Sequence, residues 1–436
     1  MSDLARGICV TEVVVIGGGV AGIQAAMDIA NHHIHVTLIE REPSIGGHMA
    51  MLDKTFPTND CSMCILSPKM AEISRHPYVT ILTLAEVEKI EGSVGNFTVT
   101  VTKYPRYINE KECTGCGDCV TICPVEVYNK FDAGIGVRKA IYKPHAQVVP
   151  NFVVKDNLHC VECGLCYQVC GKEAVLKVTE DKVRTIELKA AAVVIATGYT
   201  LFDALKKSQF GYLRYADVIT SLEFERMINA GGPSKGELRR LSTGESPKSV
   251  VFVQCVGSRD LAIKRNLCSC VCCMFALKNS MLIKEHHPEC EVFILYSDIR
   301  AYGKGYDEYY ERAKSLGVKI IKGLPGEVQD AGDHLVIPVE NTETREFLNL
   351  NADLVVLSVG MEPEPDTVRL AESLGLPLDE HQFLNPADMK LDPAGTITPG
   401  IYIAGTSLAP KDIPDCVMSA GAAAMKASLD VIRSVQ

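Results

Sequence analysis

Glu12-Val13-Val14-Val15-Ile16-Gly17-Gly18-Gly19-Val20-Ala21-Gly22-Ile23 decides the fold class of this 436-residue sequence. Val13 to Ile16 is a short β-branched run of buried-strand character, and the glycines after it lead into a helical stretch, Ile23 to Ala30. Gly17 permits the tight turn, Gly19 lets the backbone approach a pyrophosphate, and Gly22 lets helix and strand pack closely. Val20 and Ala21 stand at the helix start, where amides and the positive dipole end face phosphates. A second strand, His35 to Ile39, ends in Glu40, 18 residues after Gly22, where an acid accepts ribose hydroxyls. Strand, glycine turn, helix, strand and acid together predict a dinucleotide-binding α/β domain.

FAD rather than NAD is indicated by what surrounds this unit. Gly46-Gly47 follows shortly after Glu40, the strand Ala192 to Ile195 runs into Ala196-Thr197-Gly198, and a late strand, Ile401 to Ala404, closes on Gly405. Together these resemble flavoproteins with two dinucleotide-binding domains, whose FAD domain is built from both ends of the chain. Arg41 beside Glu40 and Lys411 complete the expected flavin contacts. The last helix, rich in Ala and Gly, starts near Pro414, and its positive end is expected to face the flavin pyrimidine.

Eight cysteines form two runs of Cys-x2-Cys-x2-Cys-x3-Cys: Cys113, Cys116, Cys119, Cys123 and Cys160, Cys163, Cys166, Cys170. In two-cluster ferredoxins the fourth cysteine of each run ligates the other cluster. The expected sets are therefore Cys113, Cys116, Cys119 with Cys170, and Cys160, Cys163, Cys166 with Cys123, each holding a 4Fe-4S cluster. Structural zinc would call for paired knuckles instead. This segment interrupts the FAD domain, and it is expected to be a separable module that loses a cluster without losing flavin.

A second Rossmann-like domain is expected to start with the strand Ser249 to Val253, yet no glycine fingerprint follows it. The sequence runs Gln254-Cys255-Val256-Gly257-Ser258-Arg259-Asp260 and then Cys268-Ser269-Cys270-Val271-Cys272-Cys273. A cysteine occupies the turn where a pyrophosphate would sit. The reading adopted is a third 4Fe-4S cluster held by Cys255, Cys268, Cys272 and Cys273 in place of nicotinamide nucleotide, with a half-buried cysteine-rich helix as the alternative.

Composition points the same way. Eighteen cysteines and no export signal in Met1 to Val10 suit metal thiolates in a reducing, cytoplasmic setting. No apolar run is long enough for a bilayer span. A net charge of -10 without a basic block argues against nucleic acid as a partner.

The stretches Thr55 to Met70, Gln254 to Asp260, Cys272 to Lys278, Asp298 to Tyr306 and Pro410 to Asp415 resemble the A-subunits of heterodisulfide reductases, and the similarity runs through essentially the whole sequence. The resemblance implies an α/β protein with two Rossmann-like, thioredoxin-reductase-like domains and an inserted two-cluster ferredoxin domain. The implied boundaries are 1–103, 182–246 and 346–436 for the FAD domain, 104–181 for the insert and 247–345 for the second domain. It matches the spacing of Cys255, Cys268, Cys272 and Cys273 to the family's unusual cluster, with Cys270 where relatives carry a basic residue. It also places Lys278 near the flavin N5, as a catalytic group, against the plainer alternative of a solvated lysine.

The function it implies is electron transfer, with or without bifurcation, between FAD, three 4Fe-4S clusters and partner subunits. Those partners would be heterodisulfide-reductase B- and C-like subunits and an electron-input subunit, in a hetero-oligomer or a dimer of complexes. Longer members carry further cluster domains, which partners would supply here. Related short subunits serve quinone-interacting and acyl-CoA-reductase-linked complexes, and a self-contained NAD(P)H-dependent disulfide reductase is the remaining alternative. Cys61 and Cys64 lie where disulfide reductases hold flavin-facing cysteines, as a redox pair, a ligand pair or packing thiols; the helix after them is expected to begin near Pro68. Cys9, Cys290 and Cys416 stand alone and are expected to pack.

Overall fold

The computed structural model describes residues 9–10 and 12–435. The β-branched run Val13–Ile16 is the central strand of a five-stranded parallel sheet, ordered 401–403, 192–195, 13–16, 36–39, 79–82. Strands from the start, middle and end of the chain thus share one sheet. Val13–Ile16, Val36–Ile39, Ala192–Ile195 and Ile401–Ile403 are buried throughout, which explains why they read as apolar runs rather than alternations.

One face of this sheet carries the helices Val20–Asn31 and Ile413–Val435, packed closely through Ala25, Ala26, Ala420, Ala423, Ala424 and Ala427. The other face packs on a second sheet containing Phe97, Val99, Val101 and Leu188. In that second sheet Asn96–Lys103 pairs antiparallel with Arg184–Ala190, and Lys103 stands opposite Arg184. The cysteine-rich insert therefore leaves and re-enters at the tip of one hairpin, so the host sheet forms around it without a break.

The second Rossmann-like sheet is also five-stranded and parallel, ordered 218–220, 354–359, 249–256, 291–296, 319–322. Its extent differs from the expected 247–345. The strand Val218–Thr220, the helix Ser221–Ile228 and the strand Leu354–Val359 all belong to it. Tyr199–Leu201 pairs antiparallel with Met361–Pro363, so these two short strands are the crossing point between the domains. The expected boundaries miss this because Leu354–Val359 is apolar enough for either sheet, and only the pairing assigns it. Among the described residues no helix is long and apolar enough to cross a membrane.

Candidate functional site

A cavity of about 560 Å³ opens beside the first glycine turn. Its wall includes Gly17, Gly18, Gly19, Val20, Ala21, Glu40, Arg41, Gly47, Ala196, Thr197, Gly198 and Lys411. Expected contacts Gly22, Gly46 and Gly405 lie behind the wall and shape it. A side chain at Gly22 would strike the Gly17 carbonyl, Gly46 donates its N–H to the Gly18 carbonyl at 2.7 Å, and a Cβ on Gly405 would press on Ala21 at 2.7 Å. At Gly19 a Cβ would meet nothing within 4 Å, so the helix start faces open space. That is the cradle a pyrophosphate needs.

Glu40 sits deep in this wall. One oxygen accepts the Gly18 N–H and the other the Glu42 N–H, both at 2.8 Å, and burial pushes its carboxyl up to about 7. Arg41 is engaged by Glu364 and Asp366, which hold its guanidinium firmly charged. Lys411, Ile413, Pro414 and Cys416 bring the start of the last helix to the cavity. His48 stacks on Tyr199 with ring centroids 4.3 Å apart, and burial holds its imidazole down at about 4, hence neutral near pH 7. The glycine cradle, the buried acid and the helix start fit FAD.

Several lining residues were invisible to sequence reasoning. His48 and Tyr199 are apart in the chain and carry no motif. Cys416, expected to pack, is buried but forms part of the wall; Cys290 is buried elsewhere, and the side chain of Cys9 lies outside the described residues. Most unexpectedly, Asn129, Phe131, Arg138, Tyr142, Pro144 and His145 of the insert also line the cavity.

The insert brings the cysteines of its two runs close together. A second, smaller cavity is lined by Cys123, Cys160, Cys163 and Cys166 together. The Cys119 thiol is pushed up to about 12 by burial and by the neighbouring thiols of Cys113, Cys116 and Cys170. Backbone N–H groups of Glu162 and Ala174 reach the sulfurs of Cys160 and Cys170 at 3.4 and 3.3 Å, donors suited to cluster sulfur ligands.

In the second domain the strand Ser249–Val256 ends in an irregularity after Val253, and Cys255 takes a left-handed backbone with φ of 63°. Its thiol is thereby turned toward Cys268 and the start of the helix Cys272–His286. The Cys272 thiol is raised by burial and by Cys273, Cys255 and Cys268, so the four sulfurs lie within electrostatic reach of one another. A hydrogen bond from Cys270, with Arg300 and Arg259, pulls the Cys268 thiol down to about 6. Cys272 also lines the large cavity. Among the described residues no three His, Cys, Asp or Glu side chains converge to hold a single metal ion.

Three expectations change. Lys278 does not line the cavity. It is fully buried in an ion pair with Glu225 and donates to the Lys54 carbonyl at 2.9 Å, because a buried carboxylate captures an ammonium that would otherwise be unpaired. Cys61 and Cys64 also stand outside the cavity wall, joined as a disulfide with their Cα atoms 5.2 Å apart. Cys61 pairs with Lys54 in the hairpin of Lys54–Thr55 with Asp60–Cys61, whose first strand lines the cavity, and Cys64 is exposed. The helix they start is Ser62–Arg75, with Pro68 inside it and Cys61 as its cap, accepting the Cys64 N–H at 3.2 Å. Finally, the insert is not a detached module. Arg226 of the second domain donates to Asp132 of the insert and to the Met51 carbonyl at 3.0 Å each. Asn229 reaches the Leu52 carbonyl at 3.2 Å, Tyr309 reaches Asn59, and Tyr306 reaches Asp412 at 2.8 Å. All three units are tied around the cavity.

A profile described as a 4Fe-4S dicluster domain matches residues 112–175, and one described as an FAD dependent oxidoreductase matches residues 12–60. The thioredoxin reductases of T. acidophilum and Lactococcus lactis superpose with a TM-score of 0.54 each. They are 15% and 16% identical, covering 98% and 97% of this chain and 100% and 99% of theirs, which shows a shared fold. The iron-sulfur A-subunit of the CoB–CoM heterodisulfide reductase of Methanocaldococcus jannaschii is 50% identical over 95% of this chain and 63% of its own length. The A-subunit of the ferredoxin/F420H2-dependent CoB–CoM heterodisulfide reductase of Methanosarcina acetivorans is 45% identical over 95% of this chain and 52% of its own. The chain thus spans between about half and two thirds of the length of these two relatives. With a glycine cradle, a dicluster insert and a thioredoxin-reductase fold in one polypeptide, the chain is similar, over nearly all of its own length, to the A-subunits of heterodisulfide reductases.

Proposed function

We propose that this chain is an electron-transferring flavo-iron-sulfur subunit of a heterodisulfide-reductase-like complex, working between FAD, three 4Fe-4S clusters and partner subunits. A flavin exchanges electrons in pairs or singly and a four-iron cluster exchanges them singly, which is the chemistry these groups supply when bound. The residues supply position. Gly17 to Gly22 and Glu40 hold the nucleotide end, and the start of the last helix and the His48–Tyr199 stack bound the rest of the cavity.

The observation that carries the proposal is the double role of Cys272, which belongs to the four-thiol group of the second domain and forms part of the flavin cavity wall. A cluster held by Cys255, Cys268, Cys272 and Cys273 would border the flavin cavity through its own ligand Cys272. The same thiols take the turn that a nicotinamide pyrophosphate would need. Lys278 acts here as a positioning residue, fastening Lys54 of the cavity wall to Glu225. The relatives are named as A-subunits of reductases, which supports a complex; B- and C-like subunits and an electron-input subunit are the partners proposed, and the cysteine content supports a reducing cytoplasmic setting.

Counting cofactors in anaerobically purified protein tests this. One FAD and about twelve irons per chain are expected from three four-iron clusters. Cys273→Ser should lower the count by about four irons, and isothermal titration should show no NADH or NADPH binding. Unchanged iron in the variant, or stoichiometric nicotinamide binding, would move a self-contained dehydrogenase to first place.

A further inference from the structure

We propose that the ferredoxin insert is a structural part of the flavin site, so that FAD is retained only while the insert holds its clusters. This rests on the ligand set Cys123, Cys160, Cys163 and Cys166 proposed above. The short strand Ile141–Tyr142, paired with Val154–Lys155, is a shared wall. Ile141 and Lys155 line the small cavity that those four cysteines surround, whereas Tyr142 lines the flavin cavity on the other side. Successive residues of a strand face opposite ways, so one strand serves both sites. Arg138 lies over the Tyr142 ring at 3.8 Å and is anchored by Asp156 at 2.7 Å, fixing the aromatic face presented to the cavity.

The wall is held against the flavin domain by specific ties. Ile45 donates its N–H to the Val149 carbonyl at 3.0 Å, and Val149 donates to Ser44 Oγ at 2.9 Å. The buried Arg106 guanidinium reaches the Pro43 carbonyl at 3.0 Å. His145 Nδ1, buried and beside the cavity, has no hydrogen-bond partner among the described residues and is free to meet a polar ligand atom.

The insert has little else to hold its shape. Its own hydrophobic cluster has only five buried members, Ile108, Cys119, Ile141, Val153 and Val175, of which one is itself an expected ligand, and the other buried apolar side chains near it are small, such as Ala140 and Ala174. Its helices, Asp118–Ile122 and Leu165–Val169, have five residues each, far short of independent stability. Small domains of this kind fold around their metals. Loss of the cluster behind Ile141 removes the packing that keeps Tyr142 and Arg138 in the flavin wall.

Two full-length variants test the linkage by iron and FAD content after gel filtration, with circular dichroism as the folding control. Cys163→Ser is expected to lose about four irons and, with them, most of its FAD, a fall of roughly tenfold or more in occupancy at micromolar protein. Tyr142→Ala is expected to keep its iron and weaken FAD binding roughly tenfold, since it removes the wall contact but no ligand. Full FAD in a Cys163→Ser protein that has lost its irons overturns the proposal, as does unchanged FAD affinity in Tyr142→Ala. Undiminished iron in Cys163→Ser overturns the ligand set, and the linkage with it, so the two failures are told apart by the metal count.

Discussion

Gly19 and Gly22 stand three residues apart in one turn, yet replacing them should break different things. At Gly22 any side chain lands on the Gly17 carbonyl, backbone against backbone with no flexible partner to yield. Gly22→Ala is therefore expected to prevent the helix Val20–Asn31 from seating on its strand, and the protein to be insoluble or unfolded. At Gly19 the backbone has φ of -76°, which any residue adopts, and a Cβ meets nothing within 4 Å. Gly19→Val should fold. The small cost of replacing a helix-capping glycine and the gain from stiffening the unfolded chain are each about 0.5–1 kcal/mol and nearly cancel. The branched side chain then projects into the cradle. Excluding a pyrophosphate from two charge-assisted N–H contacts, at about 1.5–3 kcal/mol each, removes about 3–6 kcal/mol of binding, or roughly 10²- to 10⁴-fold in affinity. Thermal unfolding of the apoprotein and fluorescence titration with FAD measure the two effects separately. A folded Gly19→Val protein with wild-type FAD affinity would refute the placement of the pyrophosphate, and a well-folded Gly22→Ala protein would refute the packing account.

Two further outcomes are expected. Lys278→Met leaves the fully buried Glu225 carboxylate uncompensated and should cost about 3–5 kcal/mol in denaturant unfolding, whereas adding Glu225→Leu should recover much of it; additive losses in the double variant would show that the pair is not coupled. Glu40 is an acid whose folded carboxyl is raised to about 7 by burial, so in the apoprotein its contribution is fully present below its ordinary value near 4.5 and is lost as pH rises through 7. Relative to Glu40→Gln, apoprotein stability should therefore fall by ~3 kcal/mol between those pH values and stay level above them; parallel stability profiles for the two proteins would count against a buried, protonated Glu40.

The first Rossmann unit was legible because its chemistry is local. Val13–Ile16, the glycine turn and Glu40 lie within 30 residues; Gly17 and Gly22 are demanded by the neighbouring backbone, and Gly19 leaves open the space a pyrophosphate takes. The two ferredoxin runs were legible for a similar reason, since a tight loop dictates the spacing of sulfur ligands in a dicluster domain. Cys255 in place of a fingerprint glycine was a readable signal too.

Tertiary structure decided the rest. Lys278 has the same local sequence whether its ammonium faces a flavin or a carboxylate, and only the arrival of Glu225, 53 residues earlier, settles it. Cys61 and Cys64 stand outside the cavity wall although Lys54, the strand partner of Cys61, lies in it, and only the pairing of these short strands decides which of them faces the cavity. The strand Leu354–Val359 is apolar enough for either sheet until its partners are known. Tyr142, Arg138 and His145 belong to no motif, because a cavity wall assembled from a distant insert requires only shape and burial, which many sequences satisfy. Covalently local constraints leave a trace in spacing; the meeting of remote surfaces is an outcome of global packing and leaves none.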